Sequence, residues 1–182
     1  PCPAMSMIAD SGFPVCYGEK GILEGQMAAC REWSDAVVSC SGGSAGNMIP
    51  DRACAVFRQD KNLEEALWKH LEERGKDKPA VSIKPTKEGL EVTAEGTAKH
   101  SAFPEGSCNA IHELASFLGE IQELGETDRM LFETLAFLSE EYYGANTGIG
   151  YEDEVSGKTT CAATVLTMDG RRPVLHLNIR YA

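Results

Sequence analysis

Basic residues are scarce: 17 Lys and Arg stand against 28 Asp and Glu, a formal net charge of −11. Phosphate-backbone recognition rests on basic patches, so this balance argues against a nucleic-acid partner, and no basic run offsets it. No Cys-x-x-Cys pair occurs, and the seven cysteines (Cys2, Cys16, Cys30, Cys40, Cys54, Cys108, Cys161) are odd in number and irregularly spaced. That pattern fits reduced thiols in a cytoplasmic protein better than a disulfide framework. The sequence has no signal-peptide pattern and no apolar run of membrane-spanning length. His-x-Asp and HExxH pairs are missing, and His70, His100, His112 and His176 are scattered, so the residues supply no close pair of metal ligands. No Gly-x-Ser-x-Gly surrounds a serine, and Gly42–Gly46 lacks the Lys-Ser/Thr of a phosphate loop, which leaves it a turn. Internal repeats and low-complexity segments are likewise missing.

What is present is enough to fold. With 182 residues, 42% of them hydrophobic, the chain can bury an ordinary core as one domain. Short apolar or β-branched runs at Ala36–Ser41 and Ala53–Arg58 predict strands, and Leu63, Ala66, Leu67 and Leu71 place a helix over Lys61–Gly75. Ala80–Lys84 and Leu90–Ala98 read as a hairpin about Thr86–Gly89. Helices follow over Ala110–Leu124 and Met130–Tyr142, and Asp169-Gly170 joins a closing hairpin of Thr160–Met168 with Pro173–Tyr181. This order predicts an α+β fold, an antiparallel sheet with helices packed on one face, similar to a ferredoxin-like sandwich with an inserted helical segment in Thr127–Gly157. The last strand stops while still alternating, which predicts a chain cut from a longer protein.

Chemistry concentrates in few places. In Gly96–Ala110 (GTAKHSAFPEGSCNA) a lone His100 sits in a polar, Gly- and Pro-bounded turn between a strand and a helix, where a side chain is presented to a partner. A surface or capping histidine would occupy the same place, Arg180 reads equally as an edge-strand charge, and Asn47 as a turn residue beside Pro50. The doublets Glu64-Glu65, Glu72-Glu73 and Glu140-Glu141 read as solvated helix charge. Asn109 reads as a helix cap, and Cys108 and His112 as local packing.

Several phrases nevertheless read together: Gly46-Asn47-Met48-Ile49-Pro50-Asp51, His100 through Gly106 with Asn109-Ala110, and Asn178-Ile179-Arg180-Tyr181. With Phe13-Pro14-Val15, Gly18 to Gly21, Tyr143-Gly144 and Gly148-Ile149-Gly150, they resemble the lid domain of zinc-dependent dipeptidases, in the superfamily of carnosinases, aminoacylases and diaminopimelate-pathway desuccinylases. The bacterial monomeric dipeptidase branch is the nearest in pattern. The resemblance implies that residues 1–20 approach from a catalytic domain outside the chain and that 21–182 form the lid. It implies two zinc (or manganese) ions held in that catalytic domain, with no metal ligands here. It implies that His100 donates to the oxyanion of the tetrahedral intermediate, and that Arg180 and Asn47 bind the substrate at its carboxylate end. A dipeptide and the same chain's catalytic domain are the implied partners; the parent would be a monomer with a dimer open, and a deacylase remains an alternative. The isolated chain is expected to be inactive. The competing expectation is a non-catalytic dimerisation or small-ligand-binding module that pairs along Leu90–Ala98 and buries His100.

Overall fold

The computed structural model describes residues 18–74 and 81–181. Pro1-Cys2-Pro3, Phe13-Pro14-Val15, Cys16 and the expected helix stop at Gly75 lie outside the described residues. In chain order the elements are β1 (Gly21–Ala28), β2 (Val37–Gly42), β3 (Met48–Ile49), β4 (Arg52–Phe57), α1 (Lys61–Arg74), β5 (Val81–Pro85), β6 (Leu90–Glu95) and β7 (Lys99–His100). Then come α2 (Ala110–Gly119), α3 (Glu126–Ser139), β8 (Glu152–Asp153), β9 (Gly157–Lys158), β10 (Thr160–Asp169) and β11 (Arg172–Tyr181).

Seven strands form one antiparallel sheet in the order β1-β11-β10-β2-β4-β6-β5. The run β4-α1-β5-β6-α2 is the split βαβ arrangement expected of a ferredoxin-like sandwich, with β6 between β4 and β5. Beyond β4 the sheet continues through β2 into the β10-β11-β1 group. The α+β class expected from the sequence is what the structure has.

Alternation fixes which face is buried. Ala53, Ala55 and Phe57 of β4 point with Leu90, Val92 and Ala94 of β6 into one core that also takes Leu63 and Leu67 of α1, Ile111, Leu114 and Phe117 of α2, and Phe132 of α3. Leu175 and Leu177 of β11 join the same core. At the other phase, Ser41, Cys54, Thr93 and Ser82 lie in one cross-strand row, and Asn178 and Arg180 of β11 pair with Glu24 and Ile22 of β1. The helices therefore cover one face and leave the other to polar side chains.

The helix ends follow their caps. Asp60 Oδ1 accepts from the Asn62 and Leu63 amides at 2.9 and 3.0 Å, which starts α1 at Lys61. Asn109 caps α2, its Oδ1 accepting from the Ile111 amide at 3.0 Å while its Nδ2 donates to the Ala163 carbonyl at 2.9 Å. Helix α2 is shorter than its spacing predicts: it stops at Gly119, and Ile121 and Leu124 reach the core from tight turns bonded to Leu118 and Ile121. Helix α3 starts four residues earlier than predicted, because Glu126 and Asp128 complement the positive end of the helix.

Candidate functional site

The loop from Gly96 to Asn109 is more ordered than its composition predicts. Thr97 bridges Cys108, and Lys99–His100 pair with Met48–Ile49 in a small ladder separate from the main sheet. His100 is therefore half-buried on a strand rather than free in a turn. The Ala102 amide donates to His100 Nδ1 at 3.1 Å. With Nδ1 accepting, the neutral tautomer carries its ring proton on Nε2 as a donor. The Phe103 ring, 71% exposed, lies 6.1 Å from the imidazole.

The next residue ties this loop to the sheet. Ser101, fully buried, donates its amide to the Asn47 carbonyl at 2.9 Å and its hydroxyl to Asn178 Oδ1 at 2.8 Å. Asn178, also fully buried, accepts a second bond on Oδ1 from Arg180 Nε at 2.9 Å and donates through Nδ2 to Glu24 Oε1 at 3.1 Å. His100, Asn47 and Arg180 are thus brought together by one hydrogen-bonded unit whose centre is Ser101 and Asn178. Asn47 is exposed and Arg180 half-buried. Among the described residues no carboxylate pairs with Arg180, and its terminal guanidinium nitrogens make no hydrogen bond there. Beside this unit lies a pocket of about 260 Å³, walled by Glu24, Gln26, Gly46, Thr164 and His176.

Sequence reasoning passed over Ser101, Asn178 and Glu24. Asn178 had a usable signal, since period-two alternation places it on the same strand face as Arg180.

Other candidates resolve as structural. His112 Nδ1 sits 3.0 Å from the Ala136 carbonyl and Nε2 is 3.3 Å from Ser116 Oγ, tying α2 to α3. Burial first, then neighbouring Glu113, push the Cys108 thiol up. Among the described residues no three His, Cys, Asp or Glu side chains cluster as a metal site. The five described cysteines are free, and no helix among the described residues is long and apolar enough to cross a membrane.

Past the loop, the Tyr143 hydroxyl donates to Glu105 at 2.8 Å. Glu105 is held below the usual carboxylate range, first by a backbone amide and then by this hydroxyl, and the tyrosine is pushed up by the same bond. The segment after α3 is in this way pinned to the loop that carries His100.

Residues 88–175, which run from the end of the β5–β6 turn into β11, match the family of the peptidase dimerisation domain. That segment is similar to a peptidase dimerisation domain. The chain is also 29% identical over 188 residues to a Bacillus subtilis (strain 168) protein carrying the name "Putative dipeptidase YtjP", an alignment covering 98% of this chain. The chain spans 40% of that relative's length. Of the candidate site, the matched segment contains His100 and Ser101, whereas Asn47, Asn178 and Arg180 lie outside the match.

Proposed function

We propose that this chain is the lid of a metal-dependent dipeptidase, closing over a dipeptide bound to a catalytic domain of the same protein. The peptidase family match and the dipeptidase named among its relatives support this reading, and one observation carries it: His100 presents Nε2–H as a preset donor while Arg180 keeps an unpaired guanidinium in the same bonded unit. A donor fixed before the reaction stabilises the developing oxyanion without reorganisation, by about 2.7 to 4 kcal/mol. The planar guanidinium suits a carboxylate through two parallel bonds, and a carboxylate recognised one residue beyond the scissile bond selects a dipeptide over a long chain. In this reading the exposed Asn47 side chain contributes to holding that end. Two metal ions, zinc or manganese, belong in this reading to the catalytic domain and would supply the nucleophile there.

In the full-length protein, His100→Ala should lower kcat on a dipeptide by roughly 10²- to 10³-fold with metal content unchanged. Arg180→Ala should mainly raise KM. Unchanged turnover in the first variant would remove the assigned role of His100.

A second reading, self-association without a part in catalysis, is favoured by the dimerisation-domain match and by β1, which is an edge strand among the described residues. There Leu23 and Met27 are exposed, and Met27 borders an apolar groove lined by Leu131, Leu135 and Leu138 of α3. Pairing along Leu90–Ala98 is not available, since β6 is hydrogen-bonded on both sides. Sizing the protein with and without a dipeptide separates the readings: a ligand-indifferent dimer with normal turnover in the His100→Ala variant would select the second.

A further inference from the structure

Arg180 is held by a neutral group, and that choice has chemical content. Its Nε can only donate and Glu24 can only accept as a carboxylate, so the Asn178 carboxamide is oriented without ambiguity: Oδ1 faces Arg180 and Ser101, Nδ2 faces Glu24. Asn178 is fully buried and its carboxamide is bonded through both terminal atoms. An aspartate there would offer Arg180 an ion pair, the commoner way to fix a guanidinium, but would neutralise the charge that a substrate carboxylate needs.

We infer that Asn178 is a positioning residue for the substrate: it aims the Arg180 guanidinium through Nε and anchors the residue after His100, while leaving the arginine's charge uncompensated for the C-terminal carboxylate of a dipeptide. The inference rests on the proposed role of Arg180. It goes further by making the carboxylate site and the His100 loop share one acceptor atom.

The test exchanges polarity without removing a bond. In the full-length protein, Asn178→Asp combined with Glu24→Gln keeps a donor–acceptor pair between positions 24 and 178 and both bonds on Oδ1, but sets a buried negative charge against Arg180. KM is measured for a dipeptide and for the same dipeptide with its C-terminus amidated, alongside Arg180→Ala. The expected result is a KM for the free-acid dipeptide raised about tenfold or more, kcat changed less than about threefold, and kcat/KM for the amide not lowered, which is about 1.4 kcal/mol of carboxylate-specific binding for each factor of ten. A purely structural Asn178 would leave the acid-to-amide preference where it was. Should the double variant fail to fold, Asn178→Ser, too short to reach Nε, should lose the same preference. If Arg180→Ala abolishes the acid preference while both Asn178 variants retain it within twofold, the positioning role is overturned and the reading of Arg180 stands. If Arg180→Ala itself leaves the preference intact, the reading beneath it fails as well.

Discussion

At the scale of single residues, the most perturbed described group is a core thiol. Cys40, on the core face of β2, is pushed up to about 12 by burial, with neighbouring Cys54 adding to the effect. The folded chain therefore keeps this proton when the unfolded chain, with an ordinary thiol near 9.0, has lost it. Below pH 9 both states are protonated and the shift contributes nothing to the pH dependence. Above it the unfolded state binds fewer protons, so stability falls as pH rises towards 12, by about 1.4 kcal/mol per unit once the unfolded thiol is ionised. Cys40→Ala should be less stable than the parent chain at pH 8, and urea midpoints should show that deficit shrinking by about 1 kcal/mol by pH 10. A deficit constant across that range would mean that the thiol is not held neutral by burial. The same burial makes Cys40 a poor nucleophile, consistent with a core role.

At the scale of elements, α3 is docked by one carboxylate. Asp128, fully buried in its first turn, accepts from the Ser34 amide at 2.7 Å and from the Ser34 hydroxyl, and this seats Trp33 against Phe132 with ring centroids 4.5 Å apart. Asp128→Ala would remove both charge-assisted bonds from Ser34 and a favourable charge from the helix start, so a loss of about 2 kcal/mol is expected in denaturant unfolding. Trp33 emission should shift to the red on the same substitution, while Trp68, 40% exposed, provides a constant background. Unaltered emission would show that the 29–35 segment is held by its apolar contacts instead. Asp128 also illustrates where sequence reading stops. An acidic residue at a helix start reads as solvated charge, and only the tertiary approach of Ser34 makes it a buried anchor. Periodic elements such as α1, the β5–β6 hairpin and the β10–β11 hairpin were legible because their side chains alternate against a single core. The end of α2 was not, since Ile121 and Leu124 continue the apolar spacing after the backbone has left the helix. His100, Asn47 and Arg180 could be singled out as residues, but the Ser101–Asn178 connection between them is made by segments nearly eighty positions apart and has no local signature.

At the scale of the whole molecule, the sheet is two groups of strands meeting at a narrow seam. Strands β10 and β2 share one register pair, Leu166 with Gly42, whereas β10 and β11 pair along most of their length. The candidate site straddles this seam: Asn47 and His100 come with the β2-β4-β6 group and its small ladder, Asn178, Arg180 and Glu24 with β11 and β1. Relative placement of the two groups therefore sets whether an oxyanion donor and a carboxylate receptor face one dipeptide. Gly43 is where that placement is decided. Its φ of +68° is in the left-handed region, and a Cβ there would lie 2.1 Å from the Thr164 carbonyl oxygen, a backbone atom of the bulge in β10. Its own amide is bonded to the Arg52 carbonyl at 3.1 Å, so the turn cannot simply rotate away. Gly43→Ala should cost at least about 2 kcal/mol from the strained conformation and the backbone clash together, read as a lowered urea midpoint. In the full-length protein it should also weaken the acid-over-amide preference for dipeptides, because relief of the clash moves β10 and the adjoining β11 away from the loop that carries His100. Gly170→Ala makes the comparison informative: Gly170 shares the left-handed φ, at +59°, but a Cβ there would meet nothing within 4 Å, so it should lower stability without altering that preference. Equal changes in preference for the two variants would mean that seam geometry is not what aligns the site.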